Sequence, residues 1–131
     1  MIYLLDVNAL VALGFANHEF HSRVASWVRA QHFPPLATCS ITELGFVRVL
    51  AHASAYGVTI AQARTLLLRM KQSRQPDFRF IVDDHDVSRL PAWVKTANQT
   101  TDGHLASLAA SAGGRLATLD RRIPGALVIP E

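Results

Sequence analysis

Short apolar runs alternate with longer segments of helical spacing along this chain, and that alternation restricts the fold more than any other feature. Ile2 to Leu5 reads as a buried strand. His18 to Phe33 carries Phe20, Val24, Trp27 and Val28 on one helical face until Pro34-Pro35 stops it. Leu36 to Thr38 is a second short strand, and Ser40 to about Ala53 a helix with Ile41, Leu44, Val47 and Leu50 or Ala51 along a stripe. After the Tyr56-Gly57 break, Thr59-x-x-Gln62 has the form of a capping box opening a helix that reaches about Gln72. Phe78 to Val82 is extended, followed by an irregular acidic turn and a short helix near Ala92 to Ala97. Thr101 to Ala112 is helical up to Gly113-Gly114, and Arg115 to Leu119 and Ala126 to Ile129 complete the strands. This order predicts an α/β domain whose central, mainly parallel sheet has helices on both faces, a class that gathers ligands at the carboxyl ends of its strands.

A chain of 131 residues, half of them hydrophobic, fits one domain over 1–131 with a core of its own. The single Cys39 excludes an internal disulfide framework and suits a reducing compartment, so a cytoplasmic location is expected. The apolar start, M-I-Y-L-L-D-V-N-A-L-V-A-L-G-F-A, lacks a basic leading region and is interrupted by Asp6 and Asn8, so it reads as folded structure rather than a signal peptide. No uncharged apolar run reaches the roughly 18 residues of a spanning helix, which predicts a soluble protein with no membrane association. Net charge is +3, and all but Lys71 and Lys95 of the 13 basic residues are arginine, the side chain best shaped for bidentate phosphate contacts.

Asp6 and Asp120 directly follow strand-like runs, and Glu43 and Asp102 fall in the first turns of helices. All four can therefore meet at one rim of the sheet. Carboxylates gathered there repel one another unless a cation neutralises them, and a hard ion such as Mg²⁺ accepts oxygen donors while keeping waters and open positions for phosphate. Such an ion activates water for in-line attack on phosphorus. Each acid also has a plainer reading. Glu43 completes a Ser40-x-x-Glu43 capping box; Asp102 suits the first-turn macrodipole; Asp120 before Arg121-Arg122 suits a turn or a surface ion pair. Asp6 is the exception, because an unpaired carboxylate inside so apolar a stretch is costly to bury.

L-L-D-V-N-A-L-V-A-L, S-I-T-E-L-G-F-V-R-V-L, T-T-D-G-H-L-A-S-L-A and L-A-T-L-D-R-R-I resemble, in order and spacing, the four motifs of PIN-domain ribonucleases, over nearly the whole chain. The short length is similar to the toxins of VapBC toxin–antitoxin pairs. The resemblance implies a three-layer α/β/α sandwich and Mg²⁺- or Mn²⁺-dependent endoribonuclease activity. It also implies dimerisation and neutralisation by a cognate antitoxin. Carried onto this chain, Asp6 and Asp102 would ligate metal most directly, Glu43 and Asp120 directly or through water, and Asn8 and Thr118 would orient them. Arg121 or Arg122 would steer the RNA backbone. Gly103 and His104 depart from the residues usual after the third acid.

Other groupings read as structural. His18, Glu19 and His21 lack a third placed ligand and suit a solvated helix start; Asp83-Asp84-His85-Asp86 suits an acidic turn that caps the next segment. Cys39 reads as a small buried filler, and Arg69, Lys71, Arg74 and Arg79 as helix-end charge along a basic edge. Leu66, Leu67, Leu68 and Met70 exceed what one core face can hold, which predicts a self-interface or an antitoxin groove. The competing function is a non-catalytic nucleic-acid-binding module with structural acids. A phosphoacceptor receiver domain would need paired acids after its first strand and a late lysine, and this chain has neither.

Overall fold

The computed structural model describes all 131 residues. Five strands form one parallel sheet: β1 (Tyr3–Leu5), β2 (Leu36–Thr38), β3 (Phe78–Phe80), β4 (Arg115–Thr118) and β5 (Leu127–Val128), in the order β3-β2-β1-β4-β5. The helices are α1 (Val7–Gly14), α2 (His21–Ala30), α3 (Ser40–His52), α4 (Ile60–Lys71) and α5 (Thr100–Ser111), with short 3-10 turns at Ser54–Tyr56, Val87–Arg89 and Ala97–Gln99.

Successive strand residues face opposite sides of a sheet, and two separate cores result. Leu5, Leu36, Ala117 and Ile129 pack under α1, α2, α3 and α4 with Leu10, Val24, Phe46 and Leu50. Leu4, Ala37 and Leu116 pack on the other side against Leu105, Leu108 and Ala109 of α5, with Trp93 closing the edge. Helices thus cover both faces of the sheet, in the three-layer α/β/α arrangement expected.

Most element ends fall within a few residues of their expected places, and Thr59 and Gln62 make the reciprocal capping bonds, 2.9 and 3.1 Å. Several details differ. α1 is a full helix where the sequence suggests none, because a short apolar run such as the buried Ala9, Leu10, Val11 and Ala12 reads equally as strand or helix. α2 begins only at His21, and it ends before His32 and Phe33, which turn to positive φ ahead of the prolines. No helix forms at 92–97; the nearest regular turn is Ala97–Gln99.

Two glycines permit close crossings that bear on the rim. A Cβ on Gly45 would stand 2.4 Å from Val7 Cγ2, so only glycine lets α3 lie this close to the start of α1. A Cβ on Gly103 would stand 2.2 Å from Val94 Cγ2, which accounts for glycine immediately after Asp102.

Candidate active site

β1 ends at Leu5, and the next residue serves as the N-cap of α1: Asp6 Oδ1 accepts from the Ala9 amide at 2.9 Å. Its other oxygen, Oδ2, accepts from the Thr118 hydroxyl at the end of the neighbouring strand β4. The same Thr118 Oγ1 accepts from the Asp120 amide at 2.9 Å, so one buried hydroxyl joins the Asp6 carboxylate to the turn that carries Asp120. Asp6 is only 8 % exposed, and this burial pushes its carboxyl above the ordinary value of 3.8; the bonds from Thr118 and Ala9 oppose the shift, while the charges of Asp102 and Asp120 add to it.

Asp102 lies in the first turn of α5, and burial followed by the nearby Asp120 charge raises it too, against a smaller opposing pull from Arg122. Asp120 goes the other way. Arg122 donates to both of its oxygens at 3.0 Å and its own amide donates at 2.9 Å, holding Asp120 below 3.8. The surface ion pair expected for Asp120 is therefore present, with Arg122 as partner, while Arg121 pairs with Glu131 at 3.2 Å. Asp6, Asp102 and Asp120 thus stand within reach of one another's charge.

Glu43 is held differently. The helix that carries it is capped by Cys39, whose amide donates to Thr42 Oγ1 at 2.9 Å, so the Ser40–Glu43 capping box does not form. Helix α3 starts one residue earlier than that box requires, and Glu43 is freed to turn toward the strand ends. Its Oε2 accepts from Thr38 Oγ1 and from Lys71 Nζ, both at 2.6 Å, and its Oε1 has no partner within the chain. Lys71 is the neighbour that sequence reasoning misses. In the sequence it falls on a basic edge with Arg69, Arg74 and Arg79, but in the fold it faces Glu43, and Arg79 pairs with Asp77 at 3.3 Å. No local pattern links the last residue of α4 to the first turn of α3; only their packing does.

Asn8 is exposed in the first turn of α1 and its side chain bonds to nothing in the chain. His18 and His21 are engaged with main chain, His18 Nδ1 with the Phe20 amide at 3.0 Å and His21 Nδ1 with the Ala12 carbonyl at 2.8 Å. In the acidic turn Asp86 caps Val87–Arg89, and Asp83 joins the His85 amide at 3.1 Å and His104 Nε2 at 2.5 Å. Burial pushes Asp83 up, but its bonds from His104 and His85 outweigh that and leave it below 3.8. His104, unusual beside the third acid, thereby ties α5 to the segment after β3.

No three His, Cys, Asp or Glu side chains close on a common point as a finished ligand cage. The donor chemistry at the β1–β4 end nonetheless fits a hard divalent ion: three carboxylates in charge contact, one buried, with a local surplus of negative charge that the single guanidinium of Arg122 does not cancel. A second feature adjoins Glu43. An apolar groove of about 840 Å³ runs between α3 and α4, lined by Leu44, Val47, Ile60, Leu67 and Leu68 and edged by Arg48 and Arg64. Leu44, Ile60 and Leu68 are each more than half exposed, in keeping with the surplus of apolar positions on α4.

Residues 3–126 match the family model for the PIN domain. Among curated proteins, ribonuclease VapC38 of Mycobacterium tuberculosis is 39% identical over 124 residues, covering 89% of this chain and 84% of its own length. Ribonuclease VapC44 of the same species is 35% identical, covering 92% and 87%. Among solved structures, a chain from VapBC2 of Rickettsia felis, crystallised with a DNA fragment from their promoter, superimposes with a TM-score of 0.62 over 98% of this chain and 97% of that one, at 16% identity.

Proposed function

The chain belongs to the PIN-domain family, among relatives named as VapC ribonucleases, and from that premise we propose that it is the toxin of a type II toxin–antitoxin pair, a metal-dependent endoribonuclease that hydrolyses RNA phosphodiester bonds in the cytoplasm. The observation that carries the reading is Asp6: a carboxylate buried at a strand end, raised by burial and by the charges of Asp102 and Asp120, is expensive unless something positive joins it.

Asp6, Asp102 and Asp120 would hold Mg²⁺ or Mn²⁺, with Glu43 directly or through water. When bound, such an ion makes an attacking water more acidic and stabilises negative charge on the leaving oxygen. The chain's own groups do the rest. Thr118 fixes the rotamer of Asp6 and the turn of Asp120 with one hydroxyl, and Glu43 Oε1, the oxygen left open, orients water at the scissile phosphate. Asn8, exposed at the start of α1, would help orient the metal ligands. Arg122 neutralises Asp120 until RNA arrives and then shares its donors with the backbone.

The test is cleavage of RNA by the purified chain with Mg²⁺, with Mn²⁺ and with a chelator, beside Asp6→Asn and Asp102→Asn. Metal-dependent cutting by the parent and none by either variant is expected. RNA binding without cleavage under any condition would instead favour a nucleic-acid-binding module.

The groove between α3 and α4 is the surface for the antitoxin, whose apolar segment would cover Leu44, Ile60 and Leu68 and end beside Glu43. Ile60→Asp should abolish neutralisation by the cognate antitoxin without reducing RNA cleavage. A homodimer is the expected solution state, checked by light scattering across a concentration series.

A further inference from the structure

Beyond Glu43 the rim continues to the edge strand. β3 pairs with β2 in parallel, with Phe80 opposite Thr38, so the ends of β4, β1, β2 and β3 lie in a row. Strands stand about 4.8 Å apart, which puts the end of β3 on the order of 10 Å from Asp6. Phe80 is 46 % exposed, at a position where an edge strand more often shows a polar or charged residue. The Lys71 ammonium lies 5.2 Å from the centre of its ring, and it is the same ammonium that donates to Glu43 at 2.6 Å. An ammonium has three N–H donors, and Glu43 takes only one; Lys71 makes no other hydrogen bond in the chain.

A half-exposed aromatic ring with a cation over one face, and spare donors on that cation, presents the two things a single-stranded nucleotide needs: the remaining ring surface for the base and a contact for the phosphate. We propose that Phe80 and Lys71 form a nucleotide subsite, in which the ring of Phe80 stacks a base of single-stranded RNA and Lys71 donates to its phosphate, one nucleotide away from the bond cut at the carboxylates. The inference rests on the ribonuclease reading above and adds to it the two side chains that hold one nucleotide beside the cut. A base inside a duplex keeps its faces covered by its neighbours and has none to offer Phe80.

Binding is measured by fluorescence anisotropy with a short labelled single-stranded RNA and with the same sequence as a duplex, in an Asp102→Asn background so that nothing is cut. Phe80→Leu, which keeps apolar bulk but removes the ring, should weaken single-strand binding roughly 5- to 100-fold, with Phe80→Trp restoring it. Duplex binding should be indifferent to both. RNA carrying 2-aminopurine should be quenched on binding by the Phe80 protein and not by Phe80→Leu. Lys71→Met should lower the slope of log affinity against log salt by about one. In the otherwise unaltered enzyme, Phe80→Leu should raise KM and leave kcat within about twofold, the pattern of a contact made equally before and during the reaction. Equal single-strand affinity for the parent and Phe80→Leu, or an equal loss toward duplex, overturns the subsite while leaving the nuclease assignment standing. A parent chain that neither cuts nor holds RNA removes both.

Discussion

The two halves of the strand rim carry their negative charge in opposite ways. At the ends of β1 and β4, Asp6 and Asp102 are both pushed above 3.8 by burial and by neighbouring carboxylate, with only the exposed Arg122 in attendance. At the ends of β2 and β3, Glu43 meets the Lys71 ammonium at 2.6 Å in a pair about three-quarters buried on each side. One half is short of positive charge and the other supplies its own. Under the function proposed above, the uncompensated half would attract a cation from outside and the compensated half would keep a lysine in place for an anionic substrate.

The sharpest way to break this contrast is to remove a carboxylate from each half. Asp102→Asn should reduce Mn²⁺ affinity, read by calorimetry, by at least about 100-fold, beyond the range seen for groups that only support ligands, whereas Glu43→Gln should cost less than about tenfold. Equal losses would mean that the two halves are not distinct. The hydroxyls come next. Thr118→Val leaves a buried Asp6 oxygen and the Asp120 amide without partners, and denaturant unfolding should show a loss of about 1–3 kcal/mol for each group stranded. Thr38→Val leaves Glu43 with Lys71 still attached, so its cost should stay near about 1 kcal/mol.

The pH dependence separates the halves more finely. Asp6 and Asp102 have raised values when folded, so between 3.8 and those values the folded chain holds protons the unfolded chain has released; stability falls as pH climbs through that window and the penalty persists above it. Asp83, Asp86 and Asp120 have lowered values and act in the other sense, adding stability above 3.8 that disappears as pH falls through their folded values. Asp6→Asn keeps the cap of α1 but never ionises. Without divalent ions, the melting temperature of the parent relative to this variant should drop as pH rises past 3.8, and added Mg²⁺ should shrink the gap. A gap that ignores both pH and Mg²⁺ would contradict the uncompensated charge. The smallest effect is expected of Lys71→Met, which converts the compensated half into a second uncompensated one. Mn²⁺ affinity should rise about two- to fivefold, the scale of one partly exposed ion pair.

Much of the architecture is legible in the sequence because it is written in local rules. Alternating strand and helix patterns predict the parallel sheet, Thr59 and Gln62 cap α4 as their spacing requires, and acids following strands arrive at the strand ends. α1 escapes notice because a short buried apolar run reads equally as strand or helix. A capping role for Glu43 is a fair local inference, overturned because α3 begins at Ser40 with Cys39 as its cap and Thr42 making the reciprocal bond.

By itself, then, the order of residues determined the fold class, the layering and the candidate carboxylates, because strand period, helix period and turn chemistry act within a few residues. What the tertiary structure alone decided is which acids share a field and which find a cation. Thr118 reaches Asp6 across 112 positions and Lys71 reaches Glu43 across 28, and charge and hydrogen bonding depend on distance through space, which no spacing along the chain reports.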